Sequence, residues 1–431
     1  MAAPFCAIII GGGLIGVTAA HIFSKTNMEF IILEKHDTPL STFGSTLALW
    51  PQTLRISDQL GLLDAVQPIL DHLHKCFVLS SKDAKIFDND RTLEYVEKNH
   101  GYGIRITHRP EMLKFLFANL TDSAKSKILL KRKATSIAVS EKGVTVLCDD
   151  GTSQEETIVI GADGVRSQTR LLLRAIKTGK EPDDLSDFQK SPYVLTYRTY
   201  FGSCPILPGL ATNTRYDAAG DRVSTQIING TDRAWFGIYE QLDPPSRQRI
   251  SRYTEADKQA IVDRTKSLYM APGWTVRDVD SQRIGETSLI DLEEGWKFEP
   301  HAGLGYNAGV TDLVVLVNGL RRLLQANGSP STQDFDELFQ GYQAERAKDT
   351  QEMERLSMKT VRLLAWPTWR YKILATYVLP YLPLRKINFT YAVGPVIGGS
   401  PVLEWLAERT LPASVIPRRR HPSKPISHFT T

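Results

Sequence analysis

The sequence predicts an α/β fold, and three features near its start carry that prediction: the apolar run Cys6–Ile10, the patterned turn Gly11-Gly-Gly-Leu-Ile-Gly16, and a second apolar run Phe30–Leu33 that ends at Glu34. Val17–Ser24, between the turn and the second run, reads as a helix and completes a strand, turn, helix and strand unit. Gly11 permits the tight turn, Gly13 lets the backbone approach a pyrophosphate, and Gly16 permits close helix packing. The helix N-terminus suits phosphates, and the Glu34 carboxylate suits ribose hydroxyls. A dinucleotide site is therefore expected. Glu34 argues against a 2′-phosphorylated ligand there, because the two anions repel.

The chain of 431 residues is long for one core and suggests two or three packed units. Its 42% hydrophobic and 23% charged content disfavours disorder. A formal net charge of +4 gives no support for a nucleic-acid partner. Cys6, Cys76, Cys148 and Cys204 are far apart and form no CxxC pair, which fits a reducing compartment and disfavours a disulfide scaffold or zinc site. No basic segment precedes Phe5–Ile10 and the glycine turn interrupts it, so it reads as a buried strand rather than a leader.

Further along, Arg109 stands just before the helix-like run Glu111–Leu120, and by itself would be a solvated surface residue. Gly143–Leu147 and Glu155–Ile160 read as paired strands around the turn Cys148–Gly151, and the second leads into Gly161-Ala-Asp-Gly164. Asp163 can bind a donor or support a nearby backbone loop, although the tetrapeptide alone is an ordinary surface turn. Tyr193–Gly202, Val223–Asn229 and Ala234–Glu240 are strand-like. A glycine-rich loop Pro300–Asn307 then precedes a helix expected over Gly309–Leu320, and the lone His301 gives no metal site.

Near the end, Arg362–Lys386 mixes Trp366, Trp369, Tyr371, Tyr377 and Tyr381 with basic residues. Its apolar run is short and broken by Pro380 and Pro383, which disfavours a membrane span. Two readings stay open: a peripheral membrane contact, or a helical pair covering the core. Pro412–Thr431 has little capacity for burial and reads as a fraying tail.

Taken together, the glycine turn with Glu34, Gly161-Ala-Asp-Gly-Val-Arg-Ser167 and Pro300-His-Ala-Gly-Leu-Gly-Tyr-Asn307 make the chain resemble flavoprotein monooxygenases of the para-hydroxybenzoate-hydroxylase-like class. Glu34-Lys-His, Leu47-Ala-Leu, Thr107-His-Arg-Pro110 and Tyr197-Arg198 narrow the resemblance to fungal enzymes that oxidise meroterpenoids and indole diterpenes. The resemblance implies a Rossmann-like FAD-binding domain interrupted by a mixed β-sheet substrate domain, followed by a C-terminal helical extension. It divides the chain at 1–190 (FAD-binding, first part), 191–285 (substrate domain), 286–355 (FAD-binding, return) and 356–431 (extension).

For the cofactor, the resemblance puts Glu34 at the FAD ribose, Ala48 beside the cofactor where the family often has Gly, Arg109 at the flavin-bearing portion, and Gly303 and Tyr306 near the flavin ring. It matches Arg198 and Tyr216 to residues proposed to act near the substrate. The implied reaction is FAD-dependent epoxidation of a polyprenyl side chain using O2, with NADPH or NADH as electron donor. The implied setting is intracellular, with the cytosolic face of the endoplasmic reticulum as the candidate membrane. An aromatic hydroxylase or Baeyer-Villiger-like oxygenase is the alternative enzymatic reading.

One departure bears on activity. Family members carry a strand and Gly-Asp-x-Ala-His before the segment represented here by Lys297-Phe-Glu-Pro300, whereas this chain passes from Trp296 directly into Lys297. The acid that supports the FAD ribityl portion has no counterpart, and neither Asp291 nor Asp312 takes its role merely by being nearby. A cofactor-binding homologue without turnover therefore stays open as a third reading.

Overall fold

The computed structural model describes residues 5–40, 44, 46–141, 143–186, 194–246, 253–294, 305–408 and 413–419, apart from the side chains of 293–294, 352–354 and 356–357. Four parallel strands form the first sheet, in the order Ile158–Gly161, Cys6–Ile10, Glu29–Glu34, Ile128–Leu130. Cys6–Ile10 is buried throughout, as a central strand covered on both faces must be, which explains its unbroken apolar run. The helix Leu14–Phe23 packs beside it and starts three residues earlier than the expected Val17. Thr157 separates Ser153–Glu156 from Ile158–Gly161, so the single strand expected over 155–160 is divided between two sheets.

The largest sheet has seven strands in the order Ile284–Glu294, Val194–Pro205, Arg233–Ser246, Val223–Asn229, Thr214–Ala219, Lys75–Ser80, Ile86–Asn89. It is mixed, because Thr214–Ala219 runs parallel to Lys75–Ser80 while the other pairs are antiparallel. The sheet thus takes two strands from the first quarter of the chain. The fold is a Rossmann-like FAD-binding domain interrupted by this mixed sheet, with a C-terminal helical extension.

The return begins with the helix Gly305–Ala326, four residues before the expected Gly309. Its early start has a packing reason: Tyr306 and Asn307, assigned to a loop by the sequence, are both buried and bonded to neighbouring elements. The helix Thr332–Ala365 follows, opened by a capping box in which Ser331 and Asp334 exchange hydrogen bonds. It stops at Ala365, just before Pro367, and short helical turns over 369–378 and 384–398 make up the extension. No helix among the described residues is long and apolar enough to cross a membrane.

The expected fraying of the tail is corrected over 413–419. Ile416 is buried and its N–H donates to Asn99 O at 3.1 Å, while Arg419 N–H donates to Gly398 O at 2.8 Å. One apolar side chain and a few paired backbone groups suffice to dock this stretch despite its basic composition. Residues 420–431 lie outside the described residues.

Candidate functional site

The glycine turn is shaped by what surrounds it. Gly11 has φ +111°, and a Cβ there would stand 2.8 Å from Ala162 O; a Cβ on Gly16 would stand 1.9 Å from Gly11 O. Both positions therefore exclude side chains. Glu34 is buried, and its carboxylate accepts from Gly12 N–H at 2.6 Å and His36 N–H at 2.9 Å. Each carboxylate oxygen keeps a further lone pair available for a ribose hydroxyl.

Gly13 caps the first helix without a side-chain bond, and a Cβ on it would meet nothing within 4 Å. The helix thus opens without a side-chain cap and with free space beside Gly13, which fits a pyrophosphate. Asp163 closes the other side of the turn. Its carboxylate accepts from Ser167 Oγ at 2.5 Å, Thr169 N–H at 2.9 Å and Thr169 Oγ1 at 3.0 Å, anchoring the start of the helix Gln168–Thr178. Of the two roles open to Asp163, this geometry realises loop support.

Arg109 is the first residue of the helix Arg109–Ala118 and is part-buried, with burial lowering its pKa from the ordinary guanidinium value. Tyr306 shares a 2.9 Å hydrogen bond with Thr18 Oγ1 of the first helix, and burial pushes its pKa up to about 12. Its hydroxyl thus ties the return helix to the dinucleotide unit. Gly303 and the Trp296–Lys297 junction lie outside the described residues.

Asn307, which was not singled out from the sequence, joins three elements. Its Oδ1 accepts from Trp50 N–H at 2.8 Å and Thr53 Oγ1 at 2.7 Å, and its Nδ2 donates to Ala48 O at 2.8 Å. Ala48 is thereby fixed by its backbone. The signal available beforehand was an amide residue directly after the late glycine run.

Ala48 also borders a cavity of about 320 Å³. Thr46, Ala48 and Trp50 of the FAD-binding part form one wall, the mixed sheet forms another, and the extension covers it with Leu379, Leu384 and Phe389. Strand alternation decides which sheet residues face inward: Thr199, Phe201, Arg215 and Asp217 line the cavity. Arg198 and Tyr216 have the opposite parity and do not line it. Arg198 Nε donates to Glu240 Oε2 at 2.7 Å, and the Tyr216 ring stacks on Phe77 at 5.7 Å with its oxygen accepting from Ala211 N–H at 3.2 Å. Burial raises the Tyr216 pKa.

The cavity is mostly apolar but has a charged end. Arg215 Nε lies 3.1 Å from Asp217 Oδ2, and Arg385 of the extension pairs with Asp88 and, at 3.4 Å, with Asp90. At the back of the adjoining small sheet, His72, His74 and Glu97 bring their ligating atoms within 4.8 Å of one another. Burial and then the Arg105 guanidinium push the His72 pKa down to about 4. That guanidinium already supplies positive charge beside a neutral imidazole, so we read the 3.3 Å approach of His72 to Glu97 as a polar contact rather than a metal centre.

Residues 5–187 match the model of the FAD-binding domain family. The chain is 26% identical over 421 residues to the FAD-dependent monooxygenase srdH of Neurospora crassa, covering 91% of this chain and 93% of that protein. It is also related to fungal FAD-dependent monooxygenases more widely. One is atmM of Aspergillus flavus, 27% identical over 442 residues and covering 95% and 91% of the two chains. Among solved structures, Klebsiella pneumoniae HpxO complexed with FAD and uric acid superposes with a TM-score of 0.70 at 16% identity, covering 92% of this chain and 97% of that one. The sequence match supports the FAD-binding domain, and the structural match supports the fold.

Proposed function

We propose that this protein is an FAD-dependent monooxygenase of fungal secondary metabolism that epoxidises an alkene in the polyprenyl side chain of a hydrophobic small molecule. The observation that carries the reading is the shared wall at Thr46, Ala48 and Trp50, which sets the apolar cavity against the FAD-binding domain. When bound, FAD supplies the redox chemistry by which NADPH or NADH and O2 deliver one oxygen atom to the alkene and the other to water. The balance is alkene, O2, NAD(P)H and a proton giving epoxide, water and NAD(P)⁺.

The residues of the chain bind and orient. Gly11, Gly13, Gly16 and Glu34 receive the adenosine and pyrophosphate portions, with Asp163 supporting the turn from the other side. Arg109 and Tyr306 enter as contacts to the flavin-bearing portion, and Asn307 holds the backbone of Ala48 against it. Trp50, Phe201, Ile228 and Leu363 shield the ligand from water. Arg198 and Tyr216 enter as positioning residues that act through the sheet, since their side chains engage its other face.

The test is expression of the chain with FAD, followed by product analysis on prenylated aromatic and prenylated indole substrates with NADPH and NADH. An epoxide formed with consumption of one nicotinamide per product supports the reading. A hydroxylated ring or a ring-expanded ester would replace it with the alternative oxygenase reading, and folded protein that takes up no FAD would replace it with a homologue lacking turnover.

A further inference from the structure

From residue 355 to residue 403 the chain has no Asp or Glu, yet it carries Arg370, Lys372, Arg385 and Lys386 there. Of the eighteen large apolar side chains exposed among the described residues, nine lie within 369–391. Trp369 is 68% exposed, Tyr377 67%, Tyr381 77% and Tyr391 78%. Single exposed apolar residues are ordinary, whereas a concentration of this kind marks an interaction face. Aromatic rings with polar tips, on a segment that carries cations and no anion of its own, match the headgroup layer of a bilayer carrying negative lipid; Lys372 pairs with Asp221 at 3.4 Å and Arg385 with Asp88 and Asp90, so Arg370 and Lys386 carry the charge argument.

The same segment borders the cavity. Leu379, Leu384, Arg385, Asn388 and Phe389 line it, and of these Leu384 is 40% exposed and Asn388 is exposed. Leu384 and Asn388 are one helical turn apart and share a face, so the cavity reaches the surface beside Tyr381, Ile387 and Tyr391. Arg385, at the charged end of the cavity, pairs with Asp88 and Asp90, which fixes the extension on the sheet.

We propose that the face formed by residues 369–391 docks on the surface of a bilayer containing anionic lipid, with the cavity mouth at Leu384 and Asn388 turned toward the acyl chains. An apolar substrate then passes from bilayer to cavity without crossing water. The identity of that substrate rests on the proposed function, but the docking does not.

The FAD-supplemented full chain is sedimented with phosphatidylcholine vesicles, with and without phosphatidylserine. Partitioning is expected to need phosphatidylserine, to weaken with salt, and to fall on the order of tenfold when Tyr377→Ser, Tyr381→Ser and Tyr391→Ser are combined. The four described cysteines are all buried, so an environment-sensitive fluorophore can be directed to Asn388→Cys or, as a control on the FAD-binding part, to the exposed position Val139→Cys. A blue shift on vesicle addition at 388 and none at 139 supports the orientation.

Absence of partitioning, partitioning unchanged in the triple variant, or equal shifts at both labels would overturn the proposal. A dimer that is lost in the triple variant, without vesicle binding, would overturn it in favour of self-association. Docking without any oxygenated product would remove the proposed function and leave this inference standing.

Discussion

The Glu34 carboxylate accepts a hydrogen bond from Gly12 N–H at 2.6 Å, so the residue that ends the second strand also holds the glycine turn in place. It accepts from His36 N–H at 2.9 Å with its other oxygen. Glu34→Ala is therefore expected to weaken FAD binding at least tenfold and to cost roughly 1–3 kcal/mol of stability, as the buried Gly12 N–H and the more exposed His36 N–H lose their acceptor. Glu34→Gln, which keeps one oxygen acceptor, should fall between. FAD titration and denaturant unfolding of the three proteins check this; equal affinities would remove Glu34 from the site.

Asn307→Ala should be among the more damaging substitutions in the return helix. It leaves the Trp50 N–H, the Thr53 hydroxyl and the Ala48 carbonyl without their partner in a buried setting, a loss of about 2–4 kcal/mol. Thermal unfolding together with FAD occupancy measures it. Asn307→Asp, which can accept but not donate, should recover the two bonds at Trp50 and Thr53 and not the one at Ala48.

Arg198→Ala is expected to lower the melting temperature and product yield together while FAD is retained. The Arg198 partner Glu240 also accepts from Arg264, at 3.1 Å, so Arg198→Lys should restore part of both losses. Loss of product at an unchanged melting temperature would instead mean direct contact with the reacting atoms. Tyr216→Phe removes only the acceptor for Ala211 N–H and should change stability by about 1 kcal/mol.

Acid should destabilise the protein between pH 6.5 and pH 4. Burial, reinforced by Arg418 and Arg55, lowers the His100 pKa from 6.5 to about 4, so the folded protein keeps this imidazole neutral while the unfolded chain protonates it. The contribution is present above pH 6.5 and is lost as the pH falls through 4, amounting to about 3 kcal/mol for this one group. Unfolding free energies across that window should show a shallower slope in His100→Gln. An identical slope would assign the acid sensitivity elsewhere.

Inserting the family's strand and Gly-Asp-x-Ala-His segment between Trp296 and Lys297 is expected to raise FAD affinity and oxygenation, because the exact chain lacks the acid that supports the ribityl portion. Flavin occupancy and product yield of the two proteins decide it. Full occupancy and efficient turnover by the exact chain would show that neighbouring structure replaces the missing contact.

The dinucleotide unit was legible in the sequence because its determinants are local. Gly11, Gly16 and Glu34 sit within one strand, turn, helix and strand, and the steric demand for glycine and the acid at a strand end follow from that short path alone. Strand-like runs over 193–202, 223–229 and 234–240 were likewise visible from residue type. The order in which these strands pair was not, and neither was the recruitment of Lys75–Ser80 and Ile86–Asn89 into their sheet. Side chains alternate along a strand, so pairing and packing decide that Thr199 and Arg215 face the cavity while Arg198 and Tyr216 face away. Tertiary structure alone also brought Asn307 to Ala48 and Arg385 to Asp88, contacts between residues separated by 259 and 297 positions. Partial burial limits the water that could replace such partners and makes their unmet hydrogen bonds costly, a condition that no local sequence pattern specifies.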